Sequence, residues 1–242
     1  MKNLIEEAVE SLKELFTQRL SASDAHLQKS VKLLAYWIKD YVKMLLAEVS
    51  PPEKYRKYKR GEVVKVNFGF RIGHEEGGLH YAVVLSKFDN TKNSILTVMP
   101  LTSEKPNFNS EKIYFKNLYL GKEIMEAILL KLLAAKEQFE KETAAHISYM
   151  DNLQPTNVTK EQLFECKKRL EIMNKKRDEI ANQIEKILQM KEGSIALADQ
   201  ITTVSKIRIY APRSSKDLLN GIRLKTSTMD KIDEKVKQLY IN

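Results

Sequence analysis

Polar and apolar positions alternate with a period of two from Val63 to Phe68, where Val63, Lys65 and Asn67 are set against Val64, Val66 and Phe68. That is the rhythm of a half-buried strand. Tyr81 to Leu85 is an apolar, β-branched run that reads as a buried strand, and Leu96 to Ser103 predicts a third. A fourth strand is expected near Lys112–Phe115 and another at Ser194–Ala198.

Elsewhere the repeat is helical. Leu4, Ala8, Leu12 and Leu15 share one face, widened by Ile5 and Phe16. A second helix starts at Ser23-Asp24, either of which can cap it, and aligns Leu27, Val31, Leu34, Ile38, Tyr41 and Leu45 before Ser50-Pro51-Pro52 ends it. Trp37 is the large aromatic available to anchor this pair to a neighbour. Between the strands near Lys112 and Ser194 the repeat alternates three- and four-residue steps. The first arm runs through Ile128, Leu132, Ala135, Phe139, Glu142, His146 and Tyr149; the second through Leu163, Cys166, Leu170, Met173, Arg177, Ile180, Ile184 and Ile187. These are heptad seams, and Pro155 with the capping Thr159 supplies the turn between them. An antiparallel coiled-coil hairpin is expected, projecting on the order of 45 Å at about 1.5 Å per residue. A last helix, Met229–Tyr240, is capped by Thr228.

Composition narrows the class. The chain has 242 residues, 43% of them apolar, enough for a real core. Its longest apolar run, Ile124–Ala135, is too short to span a bilayer and contains Glu126 and Lys131. The first residues lack the apolar stretch of a signal peptide, so no membrane association and a cytoplasmic location are expected. Cys166 is the single cysteine, which excludes an intramolecular disulfide and a cysteine-based zinc site. Net charge is +9, and its distribution carries the information. Residues 1–50 and 122–192 are neutral, whereas 51–121 hold twelve basic and seven acidic groups and 193–242 hold nine and five. A basic excess confined to the strand-bearing segments fits a polyanion-binding surface, or ordinary solubilising charge. The run Lys54-Tyr55-Arg56-Lys57-Tyr58-Lys59-Arg60 has the same two readings: Arg56, Lys57, Lys59 and Arg60 on phosphates with tyrosines stacking on bases, or a solvated linker with its tyrosines packed inward.

The chemistry concentrates in Gly73-His74-Glu75-Glu76-Gly77-Gly78-Leu79-His80, which puts three glycines, two carboxylates and two imidazoles into eight residues between two strands. These residues, together with Pro100-Leu101-Thr102-Ser103 and Leu197-Ala198-Asp199-Gln200-Ile201-Thr202-Thr203-Val204-Ser205-Lys206-Ile207-Arg208, resemble the MazF/PemK family of type II toxin–antitoxin endoribonucleases. The resemblance implies an α+β fold with a small SH3-like β-barrel formed by residues 57–121 and 193–242. On that barrel, residues 1–50 are an N-terminal helical extension and 122–192 an inserted hairpin.

It also implies a reaction: cleavage of single-stranded RNA by attack of its own 2′-hydroxyl, without metal or cofactor. The partners implied are RNA, a cognate antitoxin and a second copy in a homodimer. The family's catalytic pair, an arginine and a threonine, falls here on His80 and Thr102, so a histidine stands where the family has arginine. Glu75 matches an acidic loop position suited to orienting His80 or touching RNA. Arg71 and His74 are candidate RNA contacts, whereas Thr203 and Lys206 are expected to be structural or dimer-facing. His74, Glu75 and His80 lack helical metal-site spacing, and no metal is expected. The competing reading is a non-catalytic barrel that binds RNA or blocks a protein partner.

Overall fold

The computed structural model describes residues 2–105, 107–153 and 157–241. Two helices open the chain, α1 (Lys2–Leu20) and α2 (Ala25–Val49), followed by strands β1 (Val63–Asn67), β2 (Leu79–Val84), β3 (Ile95–Ser103) and β4 (Asn117–Gly121). Two 29-residue helices come next, α3 (Glu123–Asp151) and α4 (Lys160–Leu188). Strands β5 (Ser194–Leu197), β6 (Thr202–Ser205) and β7 (Ile209–Ala211) and the helix α5 (Thr226–Tyr240) complete it. Among the described residues no helix is long and apolar enough to cross a membrane.

The strands form one antiparallel sheet in the order β4-β5-β3-β2-β1-β7. The nine-residue β3 organises it, pairing with β2 on one edge and on the other with β6 through Ile95–Val98 and β5 through Leu101–Ser103. This is an α+β architecture. No pairing of β4 with β7 closes the sheet into a barrel among the described residues.

Alternation along the strands sorts the core into two layers. Val64, Val66, Phe68, Ala82, Val84, Val98 and Ile209 form one cluster with Tyr58. Val63, Val83, Met99 and Leu101 form the other, and it is completed by Ile124, Met125, Ile128, Ile187 and Ile232. The roots of α3 and α4 are thus part of the sheet's core. Polar contacts fasten them as well: Lys131 Nζ donates to the carbonyls of Asp217, Leu218 and Asn220 at 2.8–3.1 Å. The Glu123 carboxylate caps α5 by accepting from Lys225 N and Thr228 Oγ1, at 2.5 and 2.6 Å. Thr228 therefore bonds across to α3 rather than capping the helix, and α5 starts at Thr226, three residues before the expected Met229.

Asp24 caps α2 through the His26 amide at 2.7 Å, and Thr159 forms a full capping box with Gln162 at the start of α4. Trp37 anchors α2 to the sheet side. A Cβ on Gly69, whose φ is +89°, would lie 2.8 Å from the Trp37 ring, so only glycine admits this approach. Buried Lys206 is fixed by Asp89 Oδ1 at 2.8 Å and by the carbonyls of Arg56 and Asn90.

Two further expectations shift. The segment near Lys112–Phe115 is not a strand: Asn109 accepts from the Glu111 amide and caps a 3₁₀ turn at Ser110–Lys112, which delays β4 to Asn117. In α4 the second row of the seam rotates by one residue. Cys166, Met173, Ile180 and Ile187 are inward as expected, but Arg169, Lys176 and Gln183 replace Leu170, Arg177 and Ile184 beside them. The cause is pairing with α3. The Arg169 guanidinium lies 4.4 Å from the Tyr149 ring centre, and Lys176 pairs with Glu142, so the aliphatic stems of basic residues cover the seam. Pro155 lies outside the described residues.

Candidate active site

The loop between β1 and β2 is shaped by its glycines. Gly78 N donates to the Gly69 carbonyl at 2.7 Å, Phe68 N donates to the Gly78 carbonyl at 2.8 Å, and Gly78 has a φ of +80°. That closure launches His80 on β2 opposite Val66 of β1. On the other side β2 pairs with β3 through Tyr81 and Leu101, and extending this register by one residue sets His80 opposite Thr102. Two residues far apart in sequence are thereby delivered to one place.

His80 and Thr102 line a single cavity of about 590 Å³ with Lys65 of β1 and Tyr210 of β7. Its far wall comes from the helical hairpin and the chain leaving it, including Lys186 and Lys191. Both His80 and Thr102 are half-buried, so each is held by the sheet while remaining open to the cavity.

Glu76, rather than Glu75, holds His80. Its Oε1 lies 2.8 Å from His80 Nδ1. The hydrogen bond to Glu76 raises the imidazole above its ordinary 6.5; burial opposes this, while the Glu76 charge and the Leu101 carbonyl add to the rise and Lys65 works against it. His80 is therefore biased toward its cationic form. In that state it supplies the positive charge expected of an arginine and, unlike arginine, a proton that can be given away.

Gln200 holds the loop from the far segment of the chain. Its Oε1 accepts from the Glu76 amide at 2.5 Å and its Nε2 donates to the His74 carbonyl at 3.2 Å. The glutamine of the later sequence motif thus fixes Glu76, and Glu76 fixes His80.

The other expected residues lie elsewhere. Glu75 turns away from His80 to face Arg71, with 3.7 Å between Oε2 and Nη1, and both line a separate cavity beside Trp37. The Arg71 Nε also donates to the Phe68 carbonyl at 3.0 Å. The His74 side chain is exposed at the loop tip.

The basic run divides. Arg60 bonds to the Leu85 carbonyl and to Asp233 of α5, and Arg56 donates to Asn220 Oδ1 at 2.6 Å, so these two arginines serve internal contacts. Lys57 and Lys59 are exposed. Tyr58 is buried and donates to the Pro212 carbonyl at 2.8 Å, and burial pushes its phenol up to about 12. It packs inward, as the linker reading has it, and offers no face to a base. Thr203 and Lys206 hold the sheet: Thr203 Oγ1 lies 3.2 Å from Thr97 Oγ1, and Lys206 is the buried cation described above.

Residues 59–124 match the family described as PemK-like, MazF-like toxin of type II toxin–antitoxin system. The chain carries a PemK/MazF-like toxin segment. It spans β1 to β4 and ends at the first turn of α3, and it contains His80, Glu76 and Thr102. The helices α1 and α2, the hairpin beyond Ile124 and strands β5 to β7 lie outside the match. The search of curated proteins returned no match. A type II toxin has an antitoxin as its partner, and PemK/MazF-like toxins are usually endoribonucleases.

Lys65, Tyr210, Lys186 and Lys191 are among the cavity residues that the motifs did not signal, and Glu192 and Asp217 line it as well. Lys65 appears in sequence only as the polar member of an alternating strand, and Tyr210 lies in a three-residue strand too short to show a period.

Proposed function

We propose that the protein is the toxin of a type II pair and a metal-independent endoribonuclease acting on single-stranded RNA. The observation that carries this reading is the joining of His80, held by Glu76, and Thr102 on one cavity within the PemK/MazF-like segment. The RNA's 2′-hydroxyl gives its proton to solvent water as its oxygen attacks the adjacent phosphorus and the bond to the 5′-oxygen breaks, leaving a 2′,3′-cyclic phosphate and a 5′-hydroxyl. His80 enters as imidazolium and gives its proton to the departing 5′-oxygen. The Thr102 hydroxyl donates to a phosphoryl oxygen as charge builds there. Lys65, Lys186 and Lys191 supply positive charge around the substrate.

The finer architecture belongs to the same proposal. Residues 57–121 and 193–242 are read as an SH3-like barrel, 1–50 as a helical extension and 122–192 as an inserted coiled-coil hairpin. The protein acts in the cytoplasm as a homodimer, restrained by its antitoxin.

The test is incubation of the full chain with mixed-sequence RNA in chelator. Cleavage with cyclic-phosphate ends is expected. His80→Ala should abolish it while RNA binding persists, and Thr102→Ala should slow it by roughly 10²-fold. His80→Arg separates charge from proton transfer: cleavage persists if charge suffices and is lost if the proton is required. Binding without cleavage by the unmodified chain would install the non-catalytic reading instead, and full activity of His80→Ala would overturn the mechanism.

A further inference from the structure

Tyr210 is 62% exposed on β7, the last strand of the sheet. An isolated exposed aromatic is ordinary. This one differs in its place. It lines the His80–Thr102 cavity and also a second cavity of about 730 Å³ bearing Lys54, Arg56 and Arg213. It is thus a wall shared by the candidate cleavage site and a neighbouring basic recess.

Two cations accompany the ring. Lys65 Nζ lies 6.0 Å and the Arg213 guanidinium 5.9 Å from its centroid. These distances are at the outer limit of a cation–π contact, so neither group occupies the ring face tightly. Arg213 is held in place by its Nε, which donates to the Ile209 carbonyl at 2.8 Å. Lys65 reaches Tyr210 from the cleavage cavity, and Arg213 reaches it from the recess.

An exposed phenol ring with one cation toward each of two cavities matches what a single strand of RNA presents: a flat base with a phosphate on either side. We propose that Tyr210 is a nucleobase platform that stacks a base next to the scissile phosphate, with Lys65 and Arg213 taking the flanking phosphates. The RNA then runs from the His80–Thr102 cavity across β7 into the recess at Arg56. Tyr210 acts by positioning, and its effect is on RNA affinity rather than on proton transfer. The inference rests on the reading of the protein as acting on RNA, and it identifies where that RNA lies.

The experiment uses the full chain and a fluorescein-labelled, mixed-sequence single strand carrying 2′-O-methyl groups, which binds but cannot be cut. Tyr210→Ala should weaken binding by about 5- to 150-fold, the range for loss of one stacked base. Tyr210→Phe should stay within about twofold of the parent, because stacking needs the ring and not the hydroxyl. Against the same backbone stripped of bases, the parent and Tyr210→Ala should bind equally. Thermal unfolding of each variant verifies that an exposed substitution has left the fold intact. Unchanged affinity of Tyr210→Ala for the base-bearing strand overturns the platform and leaves the ribonuclease reading standing. No binding of that strand by the parent chain overturns both.

Discussion

The sheet and the α3–α4 hairpin draw on the same apolar residue types, yet they use them to different depths. Strands β1 to β3 bury Val63, Val64, Val66, Val83, Val84, Val98 and Met99 completely. In α4 only Cys166 and Ile187 are buried, and in α3 the buried residues are Ile124, Met125, Ile128 and His146. A strand inside a sheet has neighbours on both edges and a layer on each face; a helix in a two-helix hairpin has one partner. The sheet can therefore hold side chains in fixed positions, and the candidate site sits there, while the hairpin is free to extend over solvent. The basic excess follows the same division, because the hairpin segment carries equal numbers of basic and acidic groups.

The deepest polar contact of the sheet side is the place to break this comparison hardest. Lys206 and Asp89 are paired at 2.8 Å with side chains 3% and 0% exposed. Asp89→Ala leaves a buried ammonium without its counter-ion, and the Tyr58 amide loses the acceptor it has at 2.8 Å. A loss of about 3–5 kcal/mol is expected, measured as a lower urea midpoint at unchanged slope. A loss under about 1 kcal/mol would mean that this side of the sheet is wetter and looser than the burial indicates.

Glu76→Gln tests the site on the sheet's rim. The His80 imidazole loses its principal support, so its titration point should fall back toward 6.5, read from the His80 ring proton in NMR. The sign for stability follows from a raised folded-state value. The His80–Glu76 contribution is fully present below the unfolded value of about 6.5 and is lost as pH rises through the higher folded value. The variant should therefore differ most from the parent in mildly acidic solution. If protonated His80 is the active form, the alkaline limb of the cleavage profile moves to lower pH in Glu76→Gln. A limb that does not move would detach Glu76 from the chemistry.

Much of this was readable in the chain. The two-residue alternation at Val63–Phe68 and the run Tyr81–Leu85 became β1 and β2, since a half-buried strand leaves a period of two and a short β-branched run beside a glycine loop fits a buried strand. His80 and Thr102 stand out in sequence through the motifs that contain them, and the fold places both on one cavity. Which of two adjacent carboxylates faces His80 was not legible, because that depends on Gln200, 124 residues beyond Glu76. The α4 seam was legible in its Cys166 row and misread in its Leu170 row. Hydrophobicity ranks leucine above arginine, but Arg169 has Tyr149 to lie on, a contact no single-helix pattern contains.

Shortening the hairpin measures how separate the two regions are. The pairs Glu142–Lys176 and Tyr149–Arg169 fix an antiparallel register in which Lys136 falls opposite Asn182. Replacing residues 137–181 with a short flexible linker keeps Ile124, Met125, Ile128, Lys131 and Ile187, the parts that enter the core. Loop closure over a shorter connection is entropically cheap, so the sheet should fold with stability within about 1 kcal/mol of the parent. Its circular dichroism should lose helix and keep the strand signal. The cut also removes the exposed Glu179–Lys216 pair, which contributes little, so an unfolded product would show that the distal hairpin stabilises the sheet by more than this contact.

The smallest effect is expected on the outer stripe of α4. Leu163 and Leu170 are 58% and 46% exposed, and the sequence pattern alone would have placed both in the seam. Replacing both with serine removes apolar surface that is largely in water already, so the change should lie within about 0.5 kcal/mol per site. A seam position would lose several times more, because large-to-small changes at buried positions leave a cavity. Cys166→Ser is the internal reference, since Cys166 is only 5% exposed on the same helix and its replacement places a hydroxyl in the seam. The comparison is read from thermal unfolding at two protein concentrations. Loss at Leu163 and Leu170 matching that at Cys166, and growing with concentration, would show that this stripe is covered by a second copy in solution. Loss at both sites that does not depend on concentration would restore the seam predicted from the heptads and rotate α4 by one residue.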